Sequence, residues 1–258
     1  MGNYILVGIV AFLASSLTFL SGFGLGTILM PVFAIFFPVE IAIATTAVVH
    51  FLNNVFKFFL IGGKTNKDVF LKFGLAAIPA AFAGAYFLII LSDWHLSFDY
   101  KLLGIPFSWE PVKGVIGFIM IFFAFFEILP KFKKITFDKS KIWLGGLISG
   151  FFGGLSGHQG AMRSAFLINT GMSKEGFIAT GISIALVVDL IRMSIYTAGY
   201  LSSGLFNHLT LLVIAIVFAF SGAIVGRLLL KKITYGFIRY VVAVFLIFIG
   251  MGLFSGKI

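Results

Sequence analysis

The sequence predicts an all-α polytopic membrane protein built of two inverted-topology repeats, each a broken, re-entrant helical hairpin followed by three transmembrane helices. Three observations carry that expectation. Of 258 residues, 60% are hydrophobic and 11% are charged, and the mean hydropathy is +1.12. A soluble domain runs about 45–50% apolar and about 25% charged. Two overlong apolar stretches are each interrupted by a glycine cluster, and the 19 basic residues, set against 9 acidic ones, gather in a few short loops. The composition excludes a water-soluble globule, a disordered chain and, with no cysteine, a disulfide scaffold.

The first stretch, 4–37, is too long for one span, which takes about 20 apolar residues. Ser21-Gly22-Phe23-Gly24-Leu25-Gly26 breaks it. Backbone opened at membrane depth is tolerated only inside protein or beside a water-filled cavity. Residues 1–20 lack a basic n-region and are expected to be retained rather than cleaved as a signal peptide. Full spans are expected at 40–61, 70–91 and 112–130. The loop at 92–111 is expected to hold Asp93, His95 and Asp99 as solvated residues. A basic linker, 131–141, leads to the second broken stretch, 142–171, interrupted from Gly153 to Gly160. Spans at 174–198, 207–228 and 235–254 complete the chain. The halves 1–130 and 142–258 correspond at an offset of 135 positions, which pairs Gly22 with Gly157, Thr45 with Thr180, Asn54 with Asp189, and Lys57 with Arg192.

Charge placement sets the orientation. If each broken stretch crossed the membrane, the repeats would be parallel, and Arg227, Lys231, Lys232 and Arg239 would fall outside when 131–141 is cytoplasmic. That conflicts with the excess of Lys and Arg in cytoplasmic loops. If each broken stretch re-emerges on its own side, the loops 62–72, 131–141, 172–175 and 227–239 are all cytoplasmic and hold 13 of the 19 bases. The repeats are then inverted, and both termini are extracytoplasmic. Paired broken helices in inverted repeats mark a secondary transporter with its site near the midplane.

The ordered motifs carry a resemblance. Ser21 to Gly26 with Met30-Pro31, then Ala44-Thr45-Thr46, Ile78-Pro79-Ala80 and Gly84-Ala85, resemble the sulfite exporter TauE/SafE family. In the second half, Ser149-Gly150-Phe151-Phe152-Gly153-Gly154, Ala179-Thr180-Gly181 and Gly222 to Gly226 continue it. The resemblance implies a permease of the bacterial inner membrane for small sulfur-containing anions or organosulfonates. One segment departs from the family pattern: Gly157-His158-Gln159-Gly160-Ala161-Met162-Arg163 places a His, a Gln and an Arg where the family is glycine-rich and followed by proline.

The hairpin tips are the candidate substrate site. A half-helix starting near Gly26 or Gly160 directs free N–H groups and its positive dipole end at the tip, which suits an anion. Gly24, Gly26, Thr27, His158, Gln159 and Gly160 are the candidate donors, and Arg163 supplies charge with a guanidinium suited to bidentate oxyanion contact. Ser21 and Ser156 could add hydroxyls. The bland alternatives are close helix packing at the glycines, preferred for Ala80–Gly84 and Gly222–Gly226, and a structural pairing of Arg163 with Asp189. His158 is read either as a proton carrier or as a hydrogen-bonded structural residue.

The second constellation is His50, Asn54, Asp189 and Arg192, read as gating or proton-coupling residues. Asp189 and Arg192 share a helix face at i, i+3, and Tyr196 lies one turn on; a plain intrahelical ion pair is the alternative. His50, Asn53 or Asn54, and Lys57 form a polar stripe expected to face the protein interior. Lys57, near the expected cytoplasmic end, would simply snorkel. Glu127 reads as interfacial, and Glu40 and Glu175 as first-turn acids. His208 and the acids of the long loop match no metal template, so no metal and no cofactor are expected.

The expected function is transport of a small inorganic or organic anion, with sulfite or an organosulfonate as the class the resemblance implies. An anion channel of the same architecture and a membrane-embedded enzyme are the rivals. Partners are that anion and the lipid bilayer; proton coupling and a homodimer stay open, and nucleic acid is excluded. The chain is expected to be a multi-pass protein of the inner membrane and not an enzyme.

Overall fold

The computed structural model describes residues 2–21, 24–129, 137–200, 209–228 and 235–258. The expected linker 131–141 is therefore described only from 137, and Gly22, Phe23, His208, Lys231 and Lys232 lie outside the described residues, as does the side chain of Glu127.

The first broken stretch forms α1 (Gly2–Ser21) and α2 (Leu25–Ala34). Gly24 caps α2 in an extended conformation, and Thr27 N–H donates to its carbonyl at 3.1 Å. α3 (Val39–Ile61) follows Pro38, with Glu40 in its first turn where an acid complements the helix dipole. α4 (Lys67–Asp93) is capped by the Asn66 side chain, which accepts from Val69 N–H at 3.1 Å; such a cap contributes about 1 kcal/mol.

The loop expected at 92–111 is not simply solvated coil. It carries an antiparallel hairpin, β1 (Phe98–Leu102) and β2 (Ile105–Trp109), in register from Phe98 with Trp109 to Leu102 with Ile105. The turn residues Leu103 and Gly104 both have positive φ, 51° and 80°, as a two-residue hairpin turn requires. Alternating aromatics, with Tyr100 stacked on Phe107 at 5.1 Å, were the signal in the sequence. The hairpin docks on the chain end: Tyr100 Oη donates to the Ser255 carbonyl at 2.6 Å, and Ser108 N–H to the Gly256 carbonyl at 2.9 Å.

α5 (Pro111–Ile128) begins with proline in its first turn, where the missing N–H costs nothing. The second broken stretch gives α6 (Ile142–Ser156) and α7 (Gly160–Leu167), separated by Gly157 in the left-handed region at φ 81°. α8 (Lys174–Tyr200), α9 (Leu209–Leu228) and α10 (Tyr235–Phe254) follow. Among the described residues, Val39–Lys64, Lys67–Asp93, Lys174–Ala198 and Leu209–Leu228 are long and apolar enough to cross a bilayer, with shorter apolar helical segments at Tyr4–Thr18, Leu25–Ala34, Pro111–Phe126 and Val242–Phe254. Large side chains such as Phe59, Leu75, Phe118 and Phe248 stand exposed around the outside, as a lipid-facing surface requires. The protein is an all-α membrane protein.

Close backbone contact holds the helices together. α6 lies against α4 through Gly146, Gly150 and Gly154, whose missing side chains admit the carbonyls of Phe73, Ala77 and Ala81. A Cβ on Gly150 would stand 2.6 Å from the Ala77 oxygen. α9 meets α1 in the same way, with Gly222 against the Phe12 carbonyl. Small residues at helix contacts let dispersion replace the hydrophobic drive that lipid removes. The remaining principal contacts join α5 to α10, α3 to α8, α4 to α8, and α3 to α9.

Candidate functional site

The polar stripe of α3 faces inward. His50, Asn53, Asn54 and Lys57 are all buried, at 2%, 0%, 5% and 4% exposure. The expectation that Lys57 snorkels is therefore corrected: its ammonium donates to the Ser15 carbonyl at 3.5 Å and to Thr18 Oγ1 at 3.4 Å on α1. The Asn53 amide fits its neighbours with its oxygen 3.1 Å from Lys57 Nζ and its nitrogen 3.2 Å from the Ala219 carbonyl. α1 passes this stripe, and its Ser15 and Thr18 offer the oxygens that hold this base inside the protein.

Asp189 is the hub. It is fully buried on α8, where an ionised carboxylate survives only with its lone pairs occupied. Oδ1 accepts from Arg192 Nε at 3.0 Å and lies 2.8 Å from Nη2. Oδ2 accepts from His50 Nδ1 at 2.6 Å and from Asn54 Nδ2 at 3.1 Å. The ion pair expected within α8 is thus present, and it is tied across to α3. These four contacts occupy the carboxylate, with Arg192 as its hydrogen-bonded base. Asn54 and Asp189, matched at an offset of 135, touch each other directly.

Arg192 Nη1 lies against the second break. A Cβ at Gly157 would come within 2.6 Å of that nitrogen, and the left-handed φ already disfavours any other residue there. Tyr196, one turn on, is buried and donates through its hydroxyl to the Gly154 carbonyl in α6. Gly26 faces the same region from the first break, with Thr46 and the Gly157 carbonyl 3.4 and 3.8 Å from where its Cβ would be. His50 Nε2 is 3.3 Å from the equivalent point at Gly24. The two breaks therefore meet around the His50–Asp189–Arg192 network.

Beside this network lies a cavity of about 30 Å³ lined by Thr18, His50, Asn54, Lys57, Arg163 and Ser164 on its polar side, with Leu25, Leu167, Phe177, Ile178, Gly181 and Ile182 completing the wall. A water needs about 10–15 Å³ by this measure, so the cavity admits about two in this conformation. Arg163, in the first turn of α7, is 5% exposed, and its Nε packs over Gly181, 3.3 Å from that residue's missing Cβ. The Ser164 hydroxyl is buried with no hydrogen-bond partner among the described residues.

The structure thus gathers His50, Asn54 and Arg163 at one cavity, with Gly24 and Gly26 alongside and Asp189 and Arg192 behind. Other tip residues lie elsewhere. His158 Nδ1 contacts Ser156 Oγ at 3.1 Å, and its ring stacks on Phe123 at 5.7 Å. Gln159 is fully buried against Gly153. Thr27 and Gly160 are buried without lining the cavity. Thr18 and Ser164 were not singled out from the sequence; Ser164 stands next to Arg163, whereas Thr18 lies in an apolar run and joins the site only because α1 passes α3. Among the described residues no cluster of His, Asp or Glu forms a metal site.

Buried bases, a carboxylate hub and broken helices thus lie together inside an apolar helical membrane protein. The sulfite exporter TauE/SafE family matches residues 7–253 of the 258, and the chain belongs to that family. No curated protein and no solved structure matches the chain.

Proposed function

We propose that the protein is a secondary transporter of a small sulfur oxyanion, sulfite or an organosulfonate, which binds in the cavity between α3, α7 and α8. The observation that carries this reading is the charge of the described buried side chains: Lys57, Arg163 and Arg192 are bases, and Asp189 is the acid. A charge at the bilayer centre costs about 2.5–3.5 kcal/mol or more, so a core that sums to positive favours an anionic occupant. Lys57 and Arg163 stand at the cavity, where charge-assisted hydrogen bonds to oxyanion oxygens are strong. Ser164, Thr18 and Asn54 add neutral donors.

The inverted-repeat topology fits several contacts. α1 with α9 corresponds, at the 135 offset, to α6 with α4, and α3–α8 maps onto itself; α5 packs on α10, each the last helix of its half. Asn54 touching Asp189 fits an axis that passes between the halves. Lys64 pairs with Glu175 at 3.7 Å, which puts the loops 62–72 and 172–175 on one face; parallel repeats would separate them. The hairpin at 98–109 meets residues 255–256, which fits a C-terminal end on the same face as the loop 92–111, the face read as extracytoplasmic. Alternating access then follows from one repeat rocking against the other around the shared network, in the inner membrane. The residues gathered here are donors and cations, which favours transport over catalysis.

Uptake into proteoliposomes of sulfite, thiosulfate, methanesulfonate and acetate tests this reading. Saturable flux of the sulfur oxyanions is expected, with Arg163→Ala reducing it. Equal transport of every anion by Arg163→Ala and wild type would remove the site assignment, and single-channel conductance would replace the transporter with a channel.

A further inference from the structure

We infer that His50 is the proton-binding group of the transport cycle: its imidazole takes up a proton as the anion enters the cavity, so one proton moves with one negative charge. The inference rests on the anion cavity proposed above.

Three features converge on this ring and on no other described side chain. His50 lines the cavity. Its Nδ1 is 2.6 Å from the Asp189 carboxylate. Its Nε2 faces the first break at Gly24, beside Leu25 of the cavity wall. Asp189 holds Arg192 on its other oxygen, which keeps it ionised and makes Nδ1 the protonated nitrogen of the neutral ring. The lone pair is then on Nε2, which the Asn54 amide nitrogen approaches to 3.4 Å. A proton bound there creates an imidazolium between the Asp189 carboxylate and the cavity. Its charge is compensated by Asp189 on one side and by the incoming anion on the other.

The surrounding charges favour that linkage. From α8, His50 faces Asp189 and Arg192; from its own helix, Lys57; and from α7, across the cavity, Arg163. α2 carries no titratable residue, and α1 presents Thr18. α9 and α5, which also pack on α3, carry Arg227, Lys113 and Glu127 toward their ends. With the cavity unfilled, Lys57 and Arg163 oppose a further positive charge on the ring. An anion among them reverses that opposition. Proton and anion therefore raise each other's affinity by the same factor, as linkage requires. His158 lacks this arrangement, because its Nδ1 partner is the Ser156 hydroxyl rather than a carboxylate. No bond to the substrate forms or breaks: the proton comes from water on the entry side, sits on Nε2, and leaves to water on the other side.

The test uses the purified full chain in liposomes that contain a pH-sensitive dye, with the membrane potential clamped at zero. Methanesulfonate, ionised throughout the working range, is the first probe, because sulfite itself titrates near neutral pH; sulfite is the second. Inward flux through the wild type should acidify the lumen. A pH gradient alone should drive accumulation toward about tenfold per pH unit for one proton per anion. His50→Gln keeps a donor for Asp189 but binds no proton, so whatever anion flux it retains should move no protons and a pH gradient should drive no accumulation through it. Wild-type flux without proton movement, or undiminished proton movement through His50→Gln, overturns the inference and leaves the transporter reading standing. If neither probe is bound or moved by the wild type, the transporter reading itself fails. Should His50→Gln not fold, the wild type decides alone. Its affinity for methanesulfonate in detergent should rise as pH falls from 8 to 5, and a flat profile overturns the inference.

Discussion

Removing Asp189 should destabilise the protein far more than removing Asp189 and Arg192 together. The pair is at 0% exposure on both sides, with Arg192 Nε and Nη2 3.0 and 2.8 Å from the same oxygen. In Asp189→Ala the guanidinium stays buried with its counter-charge gone. Breaking such a pair costs about 3–5 kcal/mol, or roughly two to nearly four decades in the unfolding equilibrium at about 1.36 kcal/mol per decade. Arg192→Leu leaves the carboxylate with His50 and Asn54 and should cost less, about 1.5–3 kcal/mol, as for lost hydrogen bonds to a charged group. In the double variant neither charge remains, and an apolar replacement of a buried pair is often near neutral. The double variant should therefore recover at least about 1.5 kcal/mol relative to the sum of the singles, within the range of contacting residues. Reversible unfolding in mixed micelles, followed by tryptophan fluorescence, measures the cycle. Single-variant costs that add to within about 0.5 kcal/mol would show that the pair is not the hub described here.

Lys57→Met and Arg163→Met should each weaken sulfite binding about ten- to a hundredfold, the loss of one charge-assisted contact of about 1.5–3 kcal/mol, measured by calorimetry in detergent. Gly150→Ala should destabilise by about 1–3 kcal/mol through overpacking, because its Cβ would meet the Ala77 oxygen at 2.6 Å, whereas Gly63→Ala, with nothing within 4 Å, should change thermal stability little. The chain contains no cysteine, so single cysteines report cleanly: in oriented vesicles, Lys64→Cys and Leu103→Cys, both at exposed positions, should be modified by a charged thiol reagent from opposite faces of the membrane.

Much of the fold was legible because lipid is an unforgiving solvent. Apolar run length gave the helices to within a few residues: a span expected at 40–61 is a helix over Val39–Ile61, and the break expected at Gly153 to Gly160 falls between Ser156 and Gly160. The buried stripe on α3 was legible for the same reason, since His50 and Asn54 on an apolar helix have nowhere else to go. What the sequence did not yield is which groups meet. Asp189 had two candidate partners, Arg163 and Arg192, and only the crossing of α3 with α8 brings His50 and Asn54 to it. Lys57 reads as snorkelling by its position near a helix end, and it is the neighbouring α1, remote in sequence, that supplies the oxygens to hold it inside. The hairpin at 98–109 was hidden by its length, since strands of five residues leave a weak periodic signal beside helical spans of twenty or more.

The account turns on where the anion sits, and anomalous diffraction from crystals soaked in selenite, a heavier analogue of sulfite, reads that directly. The account predicts a selenium peak in the cavity lined by His50, Lys57, Arg163 and Ser164, absent from crystals of the Arg163→Met variant. A peak confined to the second break beside His158 and Gln159, or one that persists unchanged in Arg163→Met, would contradict it.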